Sequence, residues 1–193
     1  MVDVLSFCTA VDIAVSRGAA IFAYGPRDEA LEEYARKRGA RVAEKVRLSS
    51  RGYSLSPSSL AGIKAGERLV LPSLNGGALS LMTAPAITIA GCLRNRTAVA
   101  RAAQAAGATI AVVPAGERWP DGSLRPAVED WLGAGAILAA LSGCASVEAR
   151  AAIAAFEDAR GRLAEVLEQC SSGQELIQRG FAKRRGTGRA ARR

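Results

Sequence analysis

The sequence predicts an α/β protein because one local pattern occurs three times along the chain. In residues 68–77, 86–95 and 109–118, an apolar run typical of a strand ends in a short polar segment, and a helix-like run follows. Strands that alternate with helices favour a parallel sheet covered by helices. We therefore expect a three-layer α/β/α fold with a mostly parallel or mixed sheet, and a site at the carboxyl ends of its strands.

Periodicity and end signals place the remaining elements. Before the three units, we predict a strand end at 2–5, a helix at 8–17, a strand at 19–24, a helix at 28–38 and a short strand at 40–46. Later helices are predicted to start at caps provided by Asn95, Ser123 and a Ser172–Glu175 capping box. Two further helical segments are predicted at 146–159 and 162–170.

Length and composition favour one domain over residues 1–181. The 193 residues are 49% hydrophobic, and no stretch of 18 or more apolar residues predicts a membrane span. The first residues lack the basic start of a signal peptide, so a cytoplasmic location is expected. Residues 182–193 are predicted to be a basic, disordered tail.

The charge distribution argues against a nucleic-acid partner. Of the 26 basic residues, six lie in residues 183–193, which contain no acidic residue, so the remainder is close to neutral against 18 acids. A domain that binds nucleic acid usually has a basic surface of its own. A nucleic-acid partner is therefore not favoured for the folded part, and weak binding of RNA or an acidic surface by the tail alone is the alternative. No membrane partner is expected, because no membrane span is predicted.

The absence of histidine narrows the chemistry. It excludes serine–histidine and cysteine–histidine catalysis and histidine metal ligands within one chain. The four cysteines are far apart without a CxxC pair, so a zinc site is not expected. Carboxylates, amides and hydroxyls remain, and an oxygen-rich site suits Mg²⁺.

Two strand ends carry the first candidate site residues. Asp3 ends the first strand, before a helix that contains Ser6 and Thr9, and its carboxylate is a candidate Mg²⁺ ligand; a solvated terminal Asp is the alternative. At the second strand end, Asn75 and Gly76 are candidates for orienting phosphate or metal-bound water, although Asn-Gly is also an ordinary turn.

Two later segments add further candidates. Arg94 and Asn95 stand at a helix start, where positive charge is disfavoured, which indicates an anionic ligand or only an N-cap with exposed arginines. Glu117 and Arg118 follow a strand, and Asp130 lies in the next helix, so carboxylates would hold Mg²⁺ while an arginine faces phosphate. A surface loop with ion pairs is the alternative.

These segments together resemble the 2-phosphosulfolactate phosphatase family (ComB-like proteins), particularly an actinobacterial type. The matching segments, in the family's order, are 2–9 (VDVLSFCT), 54–60 (SLSPSSL), 69–76 (LVLPSLNG), 90–99 (AGCLRNRTAV), 115–130 (AGERWPDGSLRPAVED) and 172–181 (SGQELIQRGF). The resemblance implies a three-layer α/β fold and a Mg²⁺-dependent phosphoric monoester hydrolase. Its reaction converts phosphosulfolactate to sulfolactate and phosphate in coenzyme M biosynthesis.

The resemblance also implies site roles, position by position. The expected catalytic residues are Asp3, Asn75, Glu117 and Asp130; the expected metal ligands are Asp3, Glu117 and Asp130; and the expected substrate contacts are Ser6, Thr9, Gly76, Arg94, Asn95 and Arg118. A phosphorylated small acid is the expected substrate and Mg²⁺ the expected cofactor.

Three departures from the family pattern give an alternative function. The pattern Asp-Val-x-Arg-Ala-Thr is replaced by Asp3-Val-Leu-Ser6-Phe-Cys-Thr9, the first strand is shortened, and the end of the chain diverges into basic residues. The alternative is a non-catalytic relative that binds an anionic metabolite or a protein partner. An exposed edge at the shortened first strand would also favour a homodimer.

Overall fold

Three parallel strands form the main sheet of this protein, in a computed structural model that describes residues 1–47, 52–83 and 85–181. Strands β1 (Ala20–Tyr24) and β2 (Arg41–Val42) flank β3 (Arg68–Pro72), and the β1–β3 register runs from Ala20 opposite Arg68 to Tyr24 opposite Pro72. The middle strand is β3, and its residues Leu69–Leu71 are buried, as expected for an apolar strand covered on both faces. The predicted α/β fold is confirmed.

Helices connect and cover these strands. The helices of the described residues are α1 (Phe7–Val15), α2 (Leu31–Lys37), α3 (Gly76–Met82), α4 (Arg96–Ala106), α5 (Val128–Leu138), α6 (Val147–Ala159), α7 (Leu163–Gln169) and α8 (Ser171–Leu176). Short 3₁₀ turns cover Ser59–Gly62 and Arg160–Arg162, a π-helical turn covers Ile177–Phe181, and an antiparallel hairpin joins β4 (Glu117–Arg118) to β5 (Leu124–Arg125).

A second, much shorter parallel ladder is centred on Val2. Val2 bridges to Gly91 on one side and to Pro114 on the other. Its N–H donates to the Val113 carbonyl and its own carbonyl accepts from Ala115, both at 2.8 Å. This ladder places Asp3 immediately beyond the paired residues, where a strand-end site is expected.

The strands predicted at the start of units 86–95 and 109–118 are therefore not regular strands. Each run contributes one bridge residue, Gly91 or Pro114, because both pair with the same short segment, which turns away after Val2. Pro114 also has no N–H to donate to a ladder. The two runs thus meet the first residues of the chain at single positions, and the predicted strands are replaced by isolated bridges.

The predicted helix starts also need correction. Asn95 occupies the N-cap position of α4 without capping it; its Oδ1 accepts from Cys92 N–H (2.8 Å) and its Nδ2 donates to the Ala90 carbonyl (3.1 Å). Ser123 caps no helix, because its hydroxyl and N–H both donate to Asp121 in the β4–β5 turn. Both side chains bond to nearer groups in their own loops, as short polar residues often do in turns.

The last helix starts slightly earlier than its capping box predicts. Helix α8 begins at Ser171, and its N-cap is Cys170, whose Sγ accepts from Gly173 N–H at 3.4 Å. The helical segments predicted at 146–159 and 162–170 are present as α6 and α7, and Ser146 caps α6 by accepting from Ala149 N–H.

Two further expectations concern the whole chain. No helix in the described ranges is both long and apolar enough to span a membrane. The single domain over 1–181 stays a prediction, and the predicted disordered tail at 182–193 lies outside the described residues.

Helices α5 and α6 cross in close contact at Gly135. A Cβ at this position would lie 2.1 Å from the Ala152 carbonyl oxygen and 2.9 Å from the Phe156 Cβ. One face of α5 is thereby pressed against α6, while Gly133 on the same helix brings it against Val2 and Val4. The glycines of α5 are what allows this helix to approach both α6 and the central ladder.

We expect Gly135→Ala to destabilise the protein because the added methyl group overlaps backbone that cannot move independently. Overpacking of this kind costs about 1–3 kcal/mol, and each kcal/mol lowers Tm by about 2–4 °C in a chain of this size. Gly161→Ala is the matched control, since a Cβ added there would have nothing within 4 Å. Thermal unfolding of both variants checks this, and equal melting temperatures would contradict it.

Candidate functional site

Asp3 is a buried carboxylate at the end of the central ladder. It is 6% exposed. Its Oδ1 accepts from Phe7 N–H at 2.9 Å, at the start of α1, and its Oδ2 accepts from Gly76 N–H at 3.1 Å, at the start of α3. Burial raises the pKa of Asp3, while these hydrogen bonds and the nearby Arg47 lower it. One side chain thus joins the starts of two helices.

The Asn75–Gly76 step contacts both carboxylates of the site. While Gly76 donates to Asp3, Asn75 Nδ2 donates to Glu117 Oε2 at 2.7 Å. A Cβ at residue 76 would lie 2.6 Å from Asp3 Oδ2, so the position requires glycine for close approach to the carboxylate. Burial raises the pKa of Glu117, the Asn75 hydrogen bond lowers it, and the charge of Asp3 raises it.

Asp130, on α5, accepts hydrogen bonds from segments other than the Asn75–Gly76 step. It is 3% exposed, its Oδ1 accepts from Val4 N–H at 2.7 Å, and its Oδ2 accepts from Gly116 N–H at 3.0 Å. Burial, followed by the charge of Asp3, raises the pKa of Asp130 to about 8. Its carboxyl group fastens the turn after Asp3 to the segment before Glu117.

A cleft of about 790 Å³ opens in front of Asp3 and Glu117. Five of the residues predicted to form the site line it: Asp3, Ser6, Asn75, Glu117 and Arg118. Basic side chains from several elements surround them, and within the described part of the chain these are Arg27, Lys45, Arg47, Arg118, Arg125 and Arg179. Glu175, which pairs with Arg125 at 2.7 Å, is the third acid on the lining. The excess of positive charge favours an anionic ligand.

The other predicted site residues lie away from the cleft lining. Thr9 Oγ1 donates to the Val4 carbonyl at 2.7 Å, and Arg94 pairs with Asp12 at 3.0 Å. Asn95 is engaged by residues 90 and 92, and Gly76 lies behind Asp3. These residues make backbone hydrogen bonds and one ion pair, and none of them is on the cleft lining.

Five charged residues of the lining were not predicted from the sequence: Arg27, Lys45, Arg47, Glu175 and Arg179. A signal existed for the first three, because they follow β1 and β2 just as Asn75 follows β3. The same strand-end rule, applied to all three strands of the sheet, would have found them. Glu175 and Arg179 lie within segment 172–181, where no strand precedes them.

The residues fit a divalent cation only in part. Within the described ranges, no group of three or more Asp, Glu, Cys or His side chains is placed to hold a metal ion. The predicted set of Asp3, Glu117 and Asp130 is thus not assembled, since Asp130 lies outside the cleft lining that includes Asp3 and Glu117. Asp3 and Glu117 remain, and Mg²⁺ is commonly held by one or two carboxylates with waters and substrate phosphate.

Fold and cleft together define an α/β protein with a ligand cleft that has acids at its floor and cations around them. The family model described as 2-phosphosulpholactate phosphatase matches residues 1–184. The 2-phosphosulfolactate phosphatase of Methanothermobacter thermautotrophicus is 31% identical over 182 residues, which cover 94% of this chain and 76% of that protein. A probable 2-phosphosulfolactate phosphatase of Gloeobacter violaceus is 31% identical over 189 residues, which cover 93% and 78%.

The chain therefore belongs to the 2-phosphosulfolactate phosphatase family, and the membership predicted from the sequence is confirmed. Proteins named in this way are phosphoric monoester hydrolases, which confirms the predicted enzyme class. A phosphatase family implies a small phosphorylated substrate. The basic side chains around Asp3 and Glu117 agree with such a ligand.

We expect the stability contributed by the Asp130 proton to disappear as pH rises. The folded pKa of about 8 lies above the ordinary value near 4, so this stability is complete below about pH 4 and is lost as pH rises through about 8. Asp130→Asn cannot titrate. Between pH 5 and pH 8, the free energy of unfolding should fall by about 2 kcal/mol or more in the wild type beyond the fall in the variant.

Urea denaturation at both pH values, in buffer with EDTA, measures this difference. Asp3 and Glu117 titrate in both proteins, so subtracting the two changes leaves the contribution of residue 130 together with its coupling to Asp3. Parallel pH dependences in wild type and variant would show that Asp130 is ionised throughout this range.

Proposed function

We propose that this protein is a phosphatase that hydrolyses 2-phosphosulfolactate, or a related phosphorylated hydroxy acid, to the hydroxy acid and phosphate with the help of Mg²⁺. The observation that carries the proposal is the pairing of Asp3 and Glu117, both held by the Asn75–Gly76 step, at the floor of a cleft lined by basic side chains. The names of the relatives support the substrate.

The cations of the cleft suit a small molecule with several acidic groups. A phosphate ester and a second acid on the same small molecule together carry more negative charge than one arginine neutralises. Arg47 and Arg118 come from different elements and line the same space, so they can face different sides of one ligand. Guanidinium groups bind phosphate oxygens through two parallel N–H bonds, which orients the group as well as attracting it.

Asp3 and Glu117 are the proposed holders of Mg²⁺. When bound, this ion would withdraw charge from the phosphate oxygens and so ease attack by water at phosphorus. Asn75 fixes Glu117 through Oε2, and Gly76 and Phe7 fix Asp3, so both carboxylates are oriented before any ligand arrives. Asp130 has no direct part in this proposal; its contacts hold the two segments that carry Asp3 and Glu117.

The proposal includes the wider setting expected from the resemblance. Release of sulfolactate from phosphosulfolactate would be a step in coenzyme M biosynthesis, in the cytoplasm. The predicted homodimer stays a prediction, to be checked by native mass measurement. The alternative is a non-catalytic relative that binds an anionic metabolite or a protein partner and releases no phosphate.

Phosphate release from 2-phosphosulfolactate tests the proposal. We expect release by the wild type with Mg²⁺ and its loss with EDTA. Asp3→Asn and Glu117→Gln should each lower kcat/KM by about a hundredfold or more, because each removes a negatively charged side chain proposed to hold Mg²⁺ next to the phosphate. Glu157→Gln, which breaks only an exposed ion pair with Arg160 outside the cleft lining, is the control and should retain wild-type activity.

Circular dichroism must show that both site variants are folded, since Asp3 also accepts two backbone N–H groups. Glu117→Gln is the more conservative change, because the hydrogen bond to its Oε2 comes from the Asn75 side chain, whose amide can turn. Full activity in EDTA would contradict the role of Mg²⁺, and no release by folded wild type would favour the binding-only relative.

A further inference from the structure

The backbone around Arg47 is fixed by the serine-rich segment 54–60. Ser54, which is fully buried, donates from Oγ to the Arg47 carbonyl at 3.0 Å. Ser59 in turn accepts from Ser54 N–H at 2.9 Å, and Glu44 N–H donates to the Tyr53 carbonyl at 2.7 Å. The proposed reaction does not use these serines directly. Their hydrogen bonds fix the backbone at residue 47, and so the position from which the Arg47 side chain extends.

The guanidinium of Arg47 is fixed separately, by a residue at the start of α1. Its Nη1 donates to Ser6 Oγ at 2.7 Å, and Ser6 is itself buried at the start of α1. A guanidinium has five N–H donors in one plane, so a single bond to a hydroxyl orients the plane and leaves other donors for a ligand. Arg47 is thus held at both ends, and it lines the cleft together with Asp3 and Glu117.

The charges around Arg47 point to a ligand of opposite sign. Burial is the largest influence on its pKa and lowers it; Asp3 and Glu117 raise the pKa, and Arg179 lowers it again. Two guanidiniums that share a half-buried cleft repel each other, and an anion between them removes that repulsion. Arg179 also lines the cleft, from the π-helical turn at the end of the described chain.

We propose that Arg47 and Arg179 form the clamp that binds the phosphate group, and that Ser6 and Ser54 act as positioning residues for Arg47. This inference rests on the proposed function for its substrate. The two arginines lie outside the set of residues predicted to bind substrate. Ser6, which belongs to that set, is assigned here to positioning Arg47. Phosphate is the anion that matches, because two planar guanidiniums can each bond a pair of its oxygens.

Isothermal titration of the full chain with inorganic phosphate, at constant Mg²⁺, tests the clamp without requiring turnover. Arg47→Gln and Arg179→Gln should each weaken phosphate binding by about tenfold to a hundredfold, the usual effect of losing charge-assisted bonds. Arg47→Lys should recover part of the affinity, since it keeps the charge but not the fork. Arg101→Gln, an exposed arginine on α4 outside the cleft, should bind as the wild type does.

A double-mutant cycle tests the positioning role of Ser6. Ser6→Ala should weaken binding by about threefold to tenfold alone and have no further effect in the Arg47→Gln background, because its hydroxyl acts through that guanidinium. In turnover assays, Ser6→Ala should raise KM more than it lowers kcat. Ser54→Ala should behave likewise, and thermal unfolding shows that each variant is folded.

The outcomes separate this inference from the proposed function. Wild-type affinity for phosphate in folded Arg47→Gln would overturn the clamp. Effects of Ser6→Ala and Arg47→Gln on phosphate binding that simply add would overturn the positioning role of Ser6. Neither result would contradict the proposed reaction. Conversely, wild type that binds phosphate through Arg47 but releases none from 2-phosphosulfolactate would support the clamp and overturn the proposed reaction. Absence of phosphate binding by the wild type would also overturn the clamp.

Discussion

The structure depends on the need of two buried carboxylates for backbone N–H donors. Asp3 accepts from Phe7 and Gly76, and Asp130 accepts from Val4 and Gly116. A buried carboxylate without donors is very costly, so these four bonds fix the relative positions of the segments that provide them. The ladder at Val2 pairs only single residues, so it contributes few hydrogen bonds between strands. The hydrogen bonds that Asp3 and Asp130 accept therefore hold the neighbouring segments in register around one cleft, as longer strands would in a regular sheet.

This arrangement places like charges close together and so constrains the rest of the site. Asp3 raises the pKa of both Glu117 and Asp130, while Arg47 opposes the effect of burial on Asp3. A cation is therefore favoured between the carboxylates that face the cleft, and an anion is favoured among the arginines around them. Acids at the floor with bases around them are the arrangement that the proposed magnesium phosphate complex would need. Asp3, a carboxylate whose burial is costly, is thus also one of the charges that line the ligand space.

The sequence predicted those parts of the fold and site that follow apolar runs. Asp3, Asn75 and Glu117 come directly after such runs, and the strand-end rule was sufficient to bring them to one cleft. Asp130 shows the limit of this reasoning, because its spacing from Glu117 places it on a helix near the site but not on the cleft side. Asn95 shows another limit: a residue at an N-cap position can bond backward to the loop, and only the local turn decides. The strands expected in units 86–95 and 109–118 depended on pairing with the first residues of the chain, and local sequence patterns do not indicate how long that paired segment is.

At Ser6, the contact seen in the structure differs most from the one that the family pattern implies. The family pattern given above has an arginine at this position, and its replacement by serine removes an expected contact to the sulfonate or phosphate. In the folded protein the Ser6 hydroxyl accepts from Arg47, so a guanidinium from a segment forty-one residues away reaches the same part of the cleft. A serine is small enough to admit that side chain, whereas an arginine at residue 6 would compete with it for space and repel its charge. The departure at residue 6 therefore does not leave this part of the cleft without a cationic group, because Arg47 lies there.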